Sequence, residues 1–113
     1  MRLSEKKTVE GPGIRAILRK WPALQHRKMN GAGQRSWPDQ MVLIPGGRPL
    51  FVECKSPGEE PTVLQAERIE RLKGDGYDVI VVDSKEDFIA AVKQRMHGVS
   101  GVSRKKARRV EAS

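Results

Sequence analysis

The sequence predicts one mixed α/β domain with a central sheet of about four strands. Three segments carry apolar residues at helical spacing, and shorter apolar runs between them are typical of strands. Glycine and proline separate these segments, which gives the order helix, three strands, helix, strand, helix. A chain of 113 residues is long enough for one domain with one modest core.

The first predicted helix lies between Ser4 and Lys20, where apolar residues fall at positions i, i+3 and i+4: Ile14, Ile17 and Leu18. Gly11-Pro12-Gly13 interrupts this pattern. Because proline suits the first position of a helix, we expect the regular helix to begin at Pro12. Trp21-Pro22 ends it, since a residue before proline avoids the helical region.

Three strands are predicted next. The first is Leu24 to Met29, and a loop over residues 30–38 separates it from the apolar run Met41 to Ile44. The turn Pro45-Gly46-Gly47 joins that run to the third strand, Leu50 to Lys55. These last two strands therefore form a hairpin.

The later part of the chain alternates helix, strand and helix. Pro61 to Lys73 is the clearest helix, with glycines after its end. Asp78 to Val82 is β-branched almost throughout, which favours a strand buried on both faces. Ser84 is suited to cap a last helix from Lys85 to Met96.

The chain carries a net charge of +8, half of it in the last sixteen residues. We expect residues 1–97 to form the folded domain and residues 98–113 to form a basic tail, disordered without a partner. Such charge suits a polyanionic partner, although charge alone fits a solubility role equally well.

Composition limits the kinds of site that the chain can hold. One cysteine excludes a disulfide framework, and two histidines without ligand spacing exclude a Cys/His zinc site. Carboxylates would therefore have to hold any metal, which favours Mg²⁺ or Mn²⁺. No apolar run approaches the roughly 20 residues of a membrane span, and the first residues lack a secretory signal. We expect a cytoplasmic protein without a membrane partner.

The residues that carry chemistry lie on the predicted hairpin. Glu53 and Lys55 share one face of their strand, because side chains alternate along a strand. Asp39 opens the partner strand and can come close to Glu53. Two adjacent carboxylates favour a bound cation or a shifted pKa. The alternatives are a solvated strand edge for Glu53 and Lys55, and a turn opener for Asp39.

This set suits phosphodiester hydrolysis. A divalent ion lowers the pKa of water, and Lys55 can orient or deprotonate that water or neutralise charge on the phosphate. The carbonyl of Cys54 is a further oxygen donor. Gln65 interrupts the apolar face of its helix, as a site residue or as a rim amide bonded to backbone. Glu10 could reach a metal, or could simply favour its helix N-terminus.

Four residues around the predicted site are candidates for DNA binding. Arg27, Lys28 and Arg35 could contact phosphates. Trp37 could stack on an unpaired base, or could pack in the loop or core. The thiol of Cys54 is more consistent with packing than with a nucleophile, because no histidine is near in sequence.

The ordered motifs Trp37-Pro38-Asp39, Phe51 to Lys55 and Gln65 resemble the PD-(D/E)xK nuclease superfamily. Within it, they are similar to the virus-type replication-repair nuclease (VRR-NUC) domain in its stand-alone, phage-type form. The resemblance covers about half of the chain, and Glu10 extends it upstream. Ser36, where members commonly have glycine, and Cys54, where an aliphatic residue is usual, depart from the pattern.

The resemblance implies a restriction-endonuclease-like αβββαβ core and an Mg²⁺- or Mn²⁺-dependent endonuclease. It implies catalytic Lys55, supporting Gln65, and metal ligands at Glu10, Asp39, Glu53 and the Cys54 carbonyl. Stand-alone members are similar to four-way-junction resolvases that act as homodimers.

We therefore expect a structure-selective DNA endonuclease acting on Holliday junctions or other branched DNA, in the host cytoplasm if phage-encoded. The alternatives are a non-catalytic nucleic-acid-binding protein, and a nuclease acting on flaps, nicks or plain duplex.

Overall fold

The computed structural model describes residues 2–29, 35–97 and 99. It contains three helices and four strands within that part of the chain, in the predicted order. Their bounds are α1 Arg2–Lys20, β1 Gln25–Lys28, β2 Gln40–Ile44, β3 Arg48–Cys54, α2 Val63–Gly74, β4 Asp78–Val82 and α3 Lys85–Met96. The mixed α/β class and the αβββαβ order are confirmed.

The four strands form one mixed sheet in the order β1-β2-β3-β4. The first three are antiparallel neighbours, and β4 lies parallel to β3. Gly46 and Gly47 turn the β2–β3 hairpin with φ of 107° and 89°, values that favour glycine. The parallel pairing follows from the crossover through α2, which returns the chain to the same end of the sheet.

Each face of the sheet packs on different helices. α1 and α3 cover one face, with a buried cluster that includes Ile17, Val42, Leu50, Phe88 and Val92. α2 covers the other face through a smaller cluster: Phe51, Ile69, Leu72 and Val79. The hairpin strands therefore alternate between the two clusters, as their sequence predicted, and the polar residues of interest lie on the α2 face.

Helix α1 is continuous through Pro12, so the prediction that the regular helix begins at Pro12 is wrong. The apolar face of α1 extends past the proline in both directions, with Val9 and Ile17 both buried against the same core. Packing on both sides outweighs the backbone hydrogen bond that proline removes. Next to the proline, Gly13 lies so close to Phe88 that an added Cβ would be 2.5 Å from the ring.

Strand β4 is not buried on both faces as predicted. It is an edge strand that pairs only with β3 among the described strands, and Val81 is 43% exposed. The reason is that the cluster under α2 reaches Val79 but not Val81. In this segment the β-branched residues indicate a strand, but they do not indicate whether both faces of that strand are buried.

Helix α3 begins as predicted, because the Ser84 side chain accepts the backbone N–H of Asp87. Near its end, Arg95 forms an ion pair with Asp78 (Nε–Oδ2, 2.6 Å) that joins α3 to the start of β4. This hydrogen bond raises the pKa of Arg95 above its ordinary value. None of the described helices is long and apolar enough to cross a membrane.

The predicted basic tail, residues 98–113, lies outside the described residues apart from Val99. The N–H of Val99 donates to the carbonyl of Met96, and its side chain packs on the α1/α3 core. Val99 therefore packs on the folded domain, although it lies two residues beyond the predicted boundary at residue 97.

Candidate active site

Asp39 and Glu53 lie opposite each other across the β2–β3 hairpin. The last pair of the register is Gln40 with Val52, and continuing the register by one residue sets Asp39 opposite Glu53 on the α2 face. Directly opposed side chains in an antiparallel pair lie roughly 5 Å apart at Cβ. Both residues are buried, at 2% and 1% exposure. The alternative of a solvated strand edge is therefore excluded by burial.

Asp39 is held in place by the backbone of the facing strand. Its Oδ2 atom accepts the Cys54 N–H at 2.8 Å. The ladder between β2 and β3 ends at Gln40 and Val52, and beyond it the Asp39 carboxylate accepts the Cys54 N–H in place of a backbone carbonyl. The carboxylate of Asp39 is therefore fixed at the end of the sheet, where the alternative interpretation of Pro38-Asp39 was a turn opener.

Lys55 supplies the positive charge beside these carboxylates. Its Nζ atom lies 3.1 Å from Glu53 Oε2 and 2.7 Å from Gln65 Oε1. The lysine is only 5% exposed, so the ion pair is largely shielded from water. Such a pair is held in one geometry by its extra hydrogen bond, rather than being a loose surface contact.

Gln65 both caps helix α2 and positions Lys55. Thr62 is the N-cap, its side chain accepts the Gln65 N–H, and Gln65 Oε1 accepts the Thr62 N–H at 2.9 Å. The helix consequently begins at Val63, two residues later than predicted from Pro61. The Thr-x-x-Gln capping-box pattern was a sequence signal for both Thr62 and the orientation of Gln65. The Gln65 side chain therefore bonds the backbone, as the rim alternative expects, and also contacts Lys55; its role in a site stays a prediction.

Cys54 has a buried side chain in the core under α1 and α3. That location agrees with packing rather than nucleophilic chemistry. The Cys54 N–H is directed to Asp39, whereas the N–H of Lys55 donates to Val82 on the other neighbour. In an extended strand the N–H and C=O of one residue point to the same neighbour. The Cys54 carbonyl is therefore on the Asp39 side.

Glu10 lies with a different group of residues. Its carboxylate accepts a hydrogen bond from the side chain of Gln40, and His26 bonds to the same amide at 3.3 Å. Gln40 is the first residue of β2 and follows Asp39 in the chain, so its side chain faces the opposite side of the sheet. The structure does not bring Glu10 to the Asp39–Glu53 pair. Gln40, buried at this junction, was missed by sequence reasoning.

The donor set suits a hard cation. Among the described residues, no group of three or more His, Cys, Asp or Glu side chains is arranged to hold a metal. Asp39 and Glu53 nevertheless supply two buried carboxylates on one face, and Cys54 adds a backbone oxygen. All of these donors are oxygens, as Mg²⁺ and Mn²⁺ prefer. The residues fit such an ion, with Lys55 next to Glu53 in this structure.

The candidate DNA-binding residues are divided between the two sides of the sheet. Arg27 pairs with Met41, whose side chain packs under α2, so Arg27 is on the side of Asp39. Lys28 pairs with Gln40 and lies on the Glu10 side. Arg27, Lys28 and Arg35 are all exposed. Their roles in DNA binding remain predictions.

Trp37 packs against the α2 cluster and is only partly exposed. The Arg68 guanidinium lies over its ring at 4.3 Å, and Arg68 Nε donates to Ser36 Oγ at 3.3 Å. One face of the indole is thus covered, which favours the packing alternative over base stacking. Arg68 was missed by sequence reasoning, because no local pattern links residues 32 positions apart.

Comparisons with known proteins agree with this geometry. No family model matches the sequence. The chain is similar to "Putative nuclease p44" of Acyrthosiphon pisum secondary endosymbiont phage 1, with 46% identity over 59 residues, 52% of this chain and 63% of that protein. A solved structure described as a "VRR_NUC domain" superposes with a TM-score of 0.60 and 27% identity, covering 82% of this chain and 99% of that one. The fold and these two likenesses support a nuclease domain of the VRR-NUC type.

Proposed function

We propose that the chain is an Mg²⁺- or Mn²⁺-dependent endodeoxyribonuclease that hydrolyses phosphodiester bonds, with Holliday junctions or other branched DNA as preferred substrates. One observation carries the proposal: the carboxylates of Asp39 and Glu53 are both buried at the same end of the β2–β3 hairpin, and Lys55 Nζ lies 3.1 Å from Glu53 Oε2. A buried arrangement of two acids and one ammonium has little structural value, because apolar residues would stabilise the same position as well or better.

Asp39, Glu53 and the Cys54 carbonyl would hold the metal ion. When bound, such an ion lowers the pKa of water and polarises the phosphoryl oxygen. The backbone hydrogen bond from Cys54 to Asp39 keeps that carboxylate from rotating away. Burial of both acids strengthens their attraction for a cation, because few water molecules screen them.

Lys55 acts on the substrate side of this arrangement. An ammonium has three N–H donors; one is directed to Gln65, and Nζ also forms an ion pair with Glu53. A further N–H can donate to the attacking water or to a phosphate oxygen, whose negative charge increases in the transition state. Gln65 is a positioning residue, since it holds Nζ in place without itself reaching the phosphate.

We retain Glu10 as a proposed further ligand. Its carboxylate would first have to leave the amide of Gln40, with which it is hydrogen bonded. A role in metal binding therefore requires a side-chain rearrangement, and the dependence of cleavage on metal concentration tests it.

Branched DNA is proposed as the substrate on grounds of shape and charge. The chain has a net charge of +8, and the phosphate backbone dominates binding by basic proteins. We propose a homodimer, because a C2 dimer presents two identical sites and so matches the two-fold symmetry of a junction. The phage origin of the similar nuclease supports a location in the host cytoplasm.

A cleavage panel tests the proposal. End-labelled four-way junction, flap, nicked duplex and plain duplex are incubated with Mg²⁺, Mn²⁺ or EDTA. We expect cleavage of the junction with either ion and none in EDTA. Preferential cleavage of flaps, nicks or plain duplex would support the nuclease activity and contradict the proposed preference for junctions. Salt-dependent binding without cleavage under any condition would instead favour the non-catalytic nucleic-acid-binding protein.

A further inference from the structure

We propose that Arg68 forms a phosphate-binding subsite of the active site, prepared in advance by Trp37 and Ser36. The inference rests on the proposed function in that its ligand is a phosphodiester of the DNA strand being cut. It assigns a binding role to a residue outside the motif set, and to the serine at which this chain departs from the family pattern.

The first argument is the position of Arg68. It follows Gln65 by three residues on α2, so the two side chains lie on the same helix face about one turn apart. Gln65 contacts Lys55 Nζ directly. The partners of Arg68, Ser36 and Trp37, immediately precede Pro38-Asp39 in the chain. Arg68 therefore lies at the edge of the site, between the elements that supply Asp39 and Lys55.

The second argument is that the guanidinium is already oriented. Its Cζ atom lies over the Trp37 ring, 4.3 Å from the ring centroid, and its Nε donates to Ser36 Oγ. Stacking on an aromatic ring holds arginine in one rotamer and weakens its hydration. An arginine held in this way loses less conformational entropy when it binds a phosphate than a mobile one.

The third argument is unused hydrogen-bonding capacity. Arginine has five N–H donors, and only the one on Nε is used. Within the described part of the chain, the four N–H groups on Nη1 and Nη2 have no further partner. A fork of this kind matches two oxygens of one phosphate. By contrast, Arg95 is engaged through both Nε and Nη2 with Asp78 and serves structure.

The surroundings of Arg68 are compatible with a strand of DNA. The side chain borders an open depression of about 240 Å³, lined by Ser36, Leu64, Glu67, Arg68 and Arg71. Leu64 is 58% exposed there, an apolar surface that a deoxyribose can contact. Glu67 is the one acidic group of this lining, and its charge opposes phosphate binding. Removing the negative charge of Glu67 should therefore have the opposite effect on DNA binding to removing the positive charge of Arg68.

The test compares Arg68→Gln with Arg48→Gln. Glutamine can still donate to Ser36 but has no charge, whereas Arg48 is exposed at the opposite end of β3 from Lys55. Binding to a labelled four-way junction is measured in EDTA over a range of NaCl, with thermal melting of each variant. For Arg68→Gln we expect affinity to fall about tenfold to hundredfold, and the slope of log K against log salt to decrease by about 1. Arg48→Gln should leave the slope at the wild-type value, and Glu67→Gln should tighten binding.

Two further variants separate charge from folding. Arg68→Lys retains the charge and should keep the wild-type salt slope, even if Arg68→Gln fails to fold. Ser36→Gly, the residue common in the family, should weaken binding less than Arg68→Gln. The subsite would be overturned if a folded Arg68→Gln protein kept the wild-type slope of log K against log salt. A lower melting temperature with the same slope would also overturn it, since it would show a role in stability alone.

Failure of the two proposals can be told apart. If Arg68→Gln lowers the salt slope but the wild-type protein cleaves no substrate with Mg²⁺ or Mn²⁺, the nuclease proposal is refuted and the phosphate subsite is retained. Cleavage that proceeds with unchanged KM in Arg68→Gln would refute the subsite alone. Wild-type protein that does not bind DNA in EDTA would overturn the subsite, and the cleavage panel would then decide the function.

Discussion

Oε1 of Gln65 accepts two hydrogen bonds, from Lys55 Nζ at 2.7 Å and from the Thr62 N–H at 2.9 Å. One amide oxygen thus joins the capping of α2 to the position of the buried lysine. This shared acceptor couples a local helix signal to a lysine that follows the end of β3. This coupling explains why a polar residue occupies the sheet-facing side of an otherwise apolar helix face.

The carboxylates are best tested with variants that keep their shape. Asp39→Asn and Glu53→Gln should each lower cleavage at least about 10²-fold, because the amides bind cations weakly. DNA binding in EDTA should be unchanged or tighter, since a negative charge facing phosphate is removed. Initial rates on the preferred substrate and fluorescence anisotropy are the measurements. Turnover near the wild-type rate in either variant would show that the metal site lies elsewhere.

Asp39→Ala offers a comparison for stability. Alanine leaves the buried Cys54 N–H without its acceptor, at a cost of about 1–3 kcal/mol, whereas asparagine can still accept through its Oδ1. We expect urea unfolding to place Asp39→Ala below Asp39→Asn in stability. Equal stabilities would mean that this hydrogen bond contributes little to folding.

Gln65→Ala and Thr62→Ala separate capping from positioning. Both remove part of the capping box and should cost about 0.5–2 kcal/mol in unfolding free energy. Only Gln65→Ala removes the contact to Lys55, so only this variant should reduce kcat, by about tenfold or more. The shared loss of stability is the internal control. A similar kcat for the two variants would argue that Lys55 holds its position without the amide.

Glu10→Gln tests the proposed additional ligand. If Glu10 moves from Gln40 to the metal, the variant should need about tenfold more Mg²⁺ for half-maximal cleavage. Glu86→Gln, an exposed acid at the start of α3, should leave this Mg²⁺ dependence unchanged. Identical Mg²⁺ titrations for wild type and Glu10→Gln would remove Glu10 from the ligand set.

Gly13→Ala tests the close contact between α1 and α3. A Cβ at this position would lie 2.5 Å from Phe88 Cδ2, so the helices must separate, and we expect a loss of about 1–3 kcal/mol. Gly11→Ala in the same helix meets only the flexible end of Arg15 at 3.4 Å and should be neutral or stabilising by up to about 1 kcal/mol. Urea unfolding of both variants checks this, and a neutral Gly13→Ala would contradict the packing.

Removal of residues 100–113 tests the contribution of the tail. The deletion begins after Val99, because that residue packs on the core. It removes all of the positive charge of the last sixteen residues, so DNA binding should weaken and its salt slope should flatten. The melting temperature should change little. A salt slope equal to that of the full chain would exclude the tail from DNA binding.

Local sequence was sufficient for the elements and for much of the site. Strand alternation placed Glu53 and Lys55 on one face, and the Gly-rich turn made the hairpin that brings Asp39 opposite Glu53. The same reasoning was wrong at Pro12, where packing carries the helix through the proline, and at Val81, where β-branched composition does not reveal that a strand lies at an edge.

The sequence by itself determined the element order and the facing of the hairpin residues, because periodicity and turn chemistry act over a few neighbouring positions. Only the tertiary structure decided that Glu10 bonds to Gln40 on the other side of the sheet, that Gln65 holds Lys55, and that Arg68 stacks on Trp37. Those contacts join elements 10 to 32 residues apart. The geometry of these contacts depends on how the helices pack on the sheet, and a pattern of neighbouring residues does not specify that packing.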